Sequence, residues 1–142
     1  LRNRPQDFGG DVLQILSSPA PDAAALMAGL QAAEALTVAM QTVLEQVDVL
    51  VTPTTPITAT PIGQEMVRYG NNEEPVMHAM IRCTGPFNAT HLPALSLPCG
   101  FTREGLPVGL QIAGRPFDEA TVLRVGHAYE QATDWHLRSP GL

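Results

Sequence analysis

Apolar residues recur along this chain at two periods, and the switch between them divides it into elements. Between residues 22 and 47 they fall at Leu26, Leu30, Ala33, Leu36, Met40, Leu44 and Val47. Spacings of three and four put them on one face of a long helix, which the many alanines favour. At ~1.5 Å per residue that helix spans roughly 37 Å and needs a broad partner surface. Asp22 is placed to cap it, because its carboxylate accepts backbone N–H bonds of the first turn. Ahead of it, residues 4–16 predict a short helix packing Val12, Leu13 and Leu16, and residues 17–21 a loop. Residues 48–52, DVLVT, predict a short strand of the kind buried on both faces of a sheet.

The prolines at 53, 56 and 61 then forbid continued ladder pairing, so this stretch reads as extended loop. Residues 62–74 are polar and turn-rich, which predicts a mobile loop at the edge of a site. Pro75 can open a helix whose apolar face is Val76, Met77, Met80, Ile81 and Thr84, until Gly85-Pro86 breaks it. From Ala94 the period drops to two. Residues 94–101 and 106–113 predict an antiparallel hairpin around Thr102-Arg103-Glu104-Gly105. Val108, Leu110 and Ile112 alternate with Gly109 and Gln111, so one face is core. Pro98 and Pro107 imply edges or bulges, and Gly109 and Gly114 imply close backbone approach. Asp118 caps a last helix, with Glu119 favoured by the helix dipole and Leu123, Val125, Ala128 and Tyr129 as its packing residues. The expected fold class is α/β, within a single domain over residues 1–142.

Composition narrows the function classes. The 142 residues carry a net charge of −6 with scattered arginines, which argues against a nucleic-acid-binding surface. The longest apolar runs are expected to fall far short of a membrane span. A start at Leu1, without Met or a signal-peptide core, suggests an internal cut or a lost N-terminus. Cys83 and Cys99 lack metal spacing and CxxC form, so they read as buried thiols in a reducing cytoplasm, and no cofactor or metal is expected. The sequon Asn88-Ala89-Thr90 means nothing without secretion.

Several constellations are possible and weak. Ser96, His127 and Asp118 are the residue types of a hydrolytic triad, but no GxSxG elbow exists and Ser96 lies in an apolar strand, where its hydroxyl is expected to be buried. Cys99 with His91 is a nucleophile–base pair in type only; a small thiol beside a glycine turn is the simpler reading. Glu74 and His78 are four apart without a second histidine nearby, too few for zinc. His136, near the end of the last helix, suits a structural role at the dipole. Pro53-Thr54-Thr55-Pro56 fits a PxxP ligand, although a stiff connector explains it as well.

The stretch from Leu92 to Trp135 is more informative. Leu92-Pro93-Ala94-Leu95-Ser96-Leu97-Pro98-Cys99-Gly100, then Gly105-Leu106-Pro107-Val108-Gly109-Leu110-Gln111, then Phe117-Asp118-Glu119, follow Pro86-Phe87-Asn88 and the earlier segment DVLVTPTTP. In this order they resemble the C-terminal portion of the amidase signature family, whose members hydrolyse carboxylic amides or transfer ammonia from them. The resemblance implies a mixed β-sheet with flanking helices, of which this chain is the last third. It also implies a catalytic serine, a second serine and a lysine, in a segment upstream. This chain has no lysine: its eight basic residues are all arginine. No residue here is therefore expected to be catalytic. What it implies instead is one wall of a substrate pocket between Ile62 and Asn88, with Arg82, Thr84 and Asn88 as substrate-binding candidates. Arg82 suits a carboxylate held bidentately, or an ordinary surface pair; Thr84 and Asn88 also suit turn and cap roles. His91 stands where the family leads one to expect glycine.

Three functions follow from this reading. The first is a portion of an amide hydrolase, inactive alone. The second is a free-standing, non-catalytic, oligomeric binding module. The third is part of the A subunit of a tRNA-dependent amidotransferase, against which the Phe87-Asn88 pair leans. The expected partners are a second copy of the chain or the upstream amidase portion, with neither nucleic acid nor membrane bound directly.

Overall fold

The computed structural model describes residues 4–139. They form two compact units, one extending to Ala32 and the other beginning at Ala33.

The first unit holds a 3-10 turn, Pro5–Asp7, and helix α1, Gly10–Ser17. The continuous helix expected over 4–16 does not form, because Gly9 is extended (φ −64°, ψ 158°) and separates the two pieces. Of the three residues expected to pack there, Leu13 is half-buried while Val12 and Leu16 are exposed. Helix α2, Ala23–Leu44, starts in this unit and ends in the other. Asp22 caps it as expected, its Oδ1 accepting the Ala25 N–H at 2.7 Å.

Helix α2 stops three residues short of its expected end. The Gln46 N–H turns back to the Val43 carbonyl, and Arg115 takes the Leu44 and Val47 carbonyls, both at 2.9 Å. That guanidinium satisfies orphan acceptors of the helix end, where a cation is also favoured by the dipole. The apolar face expected of α2 forms only in part: Ala33 and Met40 are half-buried and Leu44 is buried, while Leu26, Leu30, Leu36 and Val47 are exposed. Met27, Val38 and Val43 are exposed as well. By length and composition α2 is long and apolar enough to cross a membrane, contrary to the sequence expectation. Alanine supplies much of that hydropathy, and Glu34 is the one charged residue between its ends.

A three-stranded antiparallel sheet dominates the second unit. Strands β1 (Leu50–Pro53), β4 (Ala94–Phe101) and β5 (Pro107–Ala113) run in the order β1-β5-β4. The expected hairpin is present: Leu95 pairs with Ile112 and Leu97 with Leu110. The register shifts between Pro98 and Gly100, so Cys99 is a bulge residue beside the edge-strand proline, as the sequence implied. Gly105 adopts φ +84° in the turn, and the Thr102 hydroxyl accepts from the Glu104 and Leu106 N–H groups.

Strand β1 is not buried on both faces. It is an outer strand of this sheet, alternating half-buried and exposed, with Val51 56% exposed beside a fully buried Ile112.

Helix α5, Glu119–Gln131, covers one sheet face. Leu97, Ile112 and Val122 form its core, with Leu95, Leu110, Val125 and Tyr129 packed around them. Asp118 caps α5 as expected, accepting from the Thr121 N–H at 3.3 Å. The packing face is rotated from the expected one: Leu123 and Ala128 are exposed, while Val122 and Gly126 are buried. Gly126 decides this, because a Cβ there would stand 2.5 Å from Leu95 Cδ2. The helix lies on the sheet through its one bare position.

The chain reaches the other face through Cys83 and Phe87. The loop expected over 62–74 is largely a hairpin, with β2 (Met66–Tyr69) paired to β3 (Asn72–Pro75). Gly70, at φ +56°, provides the first central position of its two-residue turn. Helix α3, Val76–Ile81, follows, with Pro75 just ahead of it rather than inside it. Gly85-Pro86 ends nothing; it opens a further helix, α4 (Gly85–Thr90), with proline in the first turn where its missing N–H costs least. Phe87 and Leu92 bury against Leu44 and Ala113, with Met40 and Leu50 alongside. His91 ends α4 in the left-handed conformation, φ 56° and ψ 30°. That is the C-terminal position at which helices favour glycine, and it accounts for the glycine expected there.

Candidate functional site

Two polar clusters converge on the segment Arg82–Thr84. The first joins the β2–β3 hairpin to the end of α3. Val67 and Glu74 are register partners, and Tyr69 lies diagonally from Glu74 on the same hairpin face. The Tyr69 hydroxyl donates to Glu74 Oε1. Eight residues on, Arg82 closes the cluster: Nε donates to Oε1 at 3.0 Å and Nη2 to Oε2 at 2.5 Å. This is the fork geometry in which guanidinium and carboxylate match. The Glu74 side chain is 13% exposed and that of Arg82 56%.

The electrostatics follow from these contacts. The paired guanidinium, and then the Tyr69 hydroxyl, hold the Glu74 carboxyl below the usual carboxylate range. The bond to Glu74 pushes the Tyr69 phenol up, and the same carboxylate raises Arg82 further. By contrast the neighbouring Arg68–Glu73 pair, at 2.7 Å, is exposed on both sides and contributes little.

The second cluster lies on the sheet face opposite α5. Alternation places Thr52, Gln111 and Ser96 side by side on β1, β5 and β4. Gln111 is 4% exposed. Its Nε2 donates to the Thr52 hydroxyl at 3.0 Å and to the Cys83 carbonyl at 3.1 Å. One side-chain amide thereby ties the sheet to the α3–α4 turn. Diagonally across β5, the Thr54 hydroxyl, level with Gly109, meets that of Ser96 at 2.6 Å. They can do so because residue 109 is glycine: a Cβ there would stand 2.7 Å from Thr54 Oγ1 and 3.2 Å from Ser96 Oγ. The close approach expected at Gly109 is thus a side-chain crossing, and at Gly114 it is Val122, 2.6 Å from the same imaginary atom.

The three candidate residues fall on one short stretch with different surroundings. Arg82 is engaged by Glu74, so the surface-pair alternative describes one edge of its guanidinium. Among the described residues Nη1 has no hydrogen-bond partner. Thr84 is half-buried at the start of α4, with its hydroxyl donating to the Ile81 carbonyl at 3.3 Å. It makes no side-chain cap. Asn88 is exposed on α4.

The weaker constellations do not assemble. Ser96 is exposed rather than buried, and it sits on the sheet face away from α5, which carries an exposed His127. Asp118 is occupied as a helix cap. His91 is an exposed helix terminus, and the two thiols expected to be buried, Cys83 in the α3–α4 turn and Cys99 in the bulge, are both only half-buried. Among the described residues no group of three His, Cys, Asp or Glu side chains could hold a metal ion.

Glu74, Tyr69 and Gln111 are not legible in the sequence as a connected set. Gln111 carried one usable signal: it is a polar residue inside a central strand. The Glu74–Arg82 pair carries none, because by sequence the hairpin that aims Glu74 reads as loop.

The sequence model of the Amidase family matches residues 12–123. The A subunit of a glutamyl-tRNA(Gln) amidotransferase from Chloroflexus aggregans is 54% identical over 100 residues, covering 70% of this chain and 19% of that protein. The chain thus spans about a fifth of the length of the curated relatives it matches. Among solved structures, an amidase superposes with a TM-score of 0.80 at 30% identity, over 93% of this chain and 30% of the other. A protein from a vestigial complex, one that reveals the evolutionary origins of an s-triazine catabolic enzyme, superposes at 0.84 with 26% identity, over 98% of this chain and 31% of the other.

Proposed function

This chain belongs to the amidase family, and from that premise we propose that it forms one wall of the substrate pocket in an enzyme acting on carboxamides. The reading that fits best is the A subunit of a tRNA-dependent amidotransferase, which releases ammonia from an amide for transfer. The observation that carries this choice is the likeness to such a protein, at more than half identity across most of the chain. It outweighs the lean of Phe87-Asn88 toward simple amidases. In this proposal residues 1–142 are part of a single larger domain that works in the cytoplasm. The serine–serine–lysine machinery of the family comes from outside this sequence, which has no lysine.

The pocket wall in this proposal is Arg82, Thr84 and Asn88. Glu74 holds the Nε edge of Arg82 and leaves Nη1 to meet a substrate carboxylate. Thr84 and Asn88 lie two and six residues further on and offer a hydroxyl and an amide. These groups bind and orient. They neither attack the amide carbon nor move its proton.

A chimera tests the reading. The Chloroflexus aggregans relative carries this sequence in place of its own matching segment, and ammonia release from glutamine is measured in its assembled enzyme. Retained release, weakened by Arg82→Leu mainly through KM, is the expected result. A soluble, assembled chimera that cleaves simple aliphatic amides and ignores glutamine would replace this reading with that of a general amidase.

A further inference from the structure

We propose that Gln111 is a positioning residue for that pocket wall, acting through the Cys83 carbonyl on the two residues that flank it. The inference rests on the reading of Arg82 and Thr84 as pocket residues, and Cys83 stands directly between them. The Gln111 amide is nearly inaccessible and its two acceptors come from distant parts of the chain, β1 and the α3–α4 turn. A side chain at this register position needs no polar group for the sheet itself, since the ladder is made by backbone. Its neighbour on the same face, Ala113, packs into an apolar cluster with Phe87 and Leu92. Burying an amide there is costly unless each bond is made. Both acceptors met by Nε2 are in place, and the described residues contain no buried side-chain polar atom without a partner.

The geometry gives the bond a specific consequence. Residues 82–84 lie between two short helices of six residues each, too short to be stable on local bonds alone. Phe87 anchors the far side of the turn through apolar packing, which fixes depth but not direction. The Gln111–Cys83 bond adds direction. It sets the peptide plane after Cys83, and with it the angle at which the chain delivers Arg82 to Glu74 and Thr84 to the pocket.

Two measurements test this separately from the reading beneath it. In the intact 142-residue chain, backbone amide exchange is followed residue by residue for Gln111→Leu and for Thr52→Val, which removes one of the two acceptors and keeps the shape. Exchange across residues 82–90 is expected to quicken roughly tenfold in Gln111→Leu, with β4 and α5 unchanged, as for a local opening. Thr52→Val is expected to give a smaller change of the same kind, and it decides the matter if Gln111→Leu does not fold. In the chimera, Gln111→Leu is expected to raise KM for the amide by roughly tenfold with kcat little changed, the pattern of a displaced binding group. Unaltered exchange at 82–90 in a folded variant overturns the proposal. So does a fall in kcat at constant KM. An inactive wild-type chimera would instead remove the reading, while the exchange result would still judge the Gln111 bond.

Discussion

His91 shows how one residue can carry a cost that only its backbone reveals. A left-handed backbone is unfavourable for a side-chain-bearing residue by roughly 1–2 kcal/mol, and glycine escapes it. The imidazole is exposed and makes no hydrogen bond among the described residues, so nothing there offsets the strain. His91→Gly is therefore expected to stabilise the chain by about 0.5–1 kcal/mol, the gain being trimmed by the larger entropy of an unfolded glycine. Urea unfolding decides it through the midpoint at constant slope. A lower midpoint would mean that the ring makes contacts which outweigh the backbone penalty.

At the scale of elements, the β2–β3 hairpin is an isolated two-stranded ribbon, and such ribbons are marginal in water. Its attachment to α3 through Glu74, Tyr69 and Arg82 makes its order depend on pH. Glu74 has a folded pKa below its ordinary value of 4.5, so what it contributes is complete above that value and is lost as pH falls through the lowered one. Tyr69 has a folded pKa above its ordinary value of 10.0, so its contribution is complete below 10.0 and is lost as pH rises through the raised one. Arg82 stays charged throughout. Amide chemical shifts of residues 66–74 are expected to report the Glu74 transition below 4.5 and the Tyr69 transition above 10.0, with the His78 charge that also faces Glu74 acting between them. Glu74→Gln should abolish the acid transition. A midpoint at or above 4.5 would show that the bidentate pair does not persist in solution. Because Arg82 is more than half exposed, added salt should weaken the effect.

For the whole molecule, the second unit alone leaves apolar surface that a soluble monomer ordinarily covers. Val51 lies bare beside β5, Leu123 is 60% exposed on α5, and Met77, Met80 and Ile81 are exposed on α3. Helix α2 adds Leu36, Val38 and Val43, all exposed. Strand β1 offers an unpaired edge within this sheet. The purified chain is expected to self-associate at micromolar concentration, since covering about 800 Å² per partner is enough for a specific interface. Sedimentation as a folded, strictly monomeric species of 15.2 kDa would contradict this and would place the covering surfaces within the chain itself.

The sequence by itself determined the elements whose signals are local. Asp22 and Asp118 cap because a carboxylate one residue before a helix has few other options, and the β4–β5 hairpin follows from alternation around a glycine turn. The ordered motifs from Pro86 to Glu119 were enough for the family, whose lysine this sequence does not contain. The tertiary structure decided what depends on distant partners. Alternation on β5 could not say that both faces are used, one by Ile112 under α5 and one by Gln111 under the α3–α4 turn. Helical period could not choose between Val122 and Leu123, because the choice rests on a bare Gly126 meeting Leu95 on another strand. Nor could it foresee that α2 turns Leu26 and Leu30 to solvent, since a period shows a face only when something stands opposite. The pairing of Glu74 with Arg82 is of the same kind: a polar segment reads as loop until a glycine at φ +56° folds it into a hairpin and aims the carboxylate.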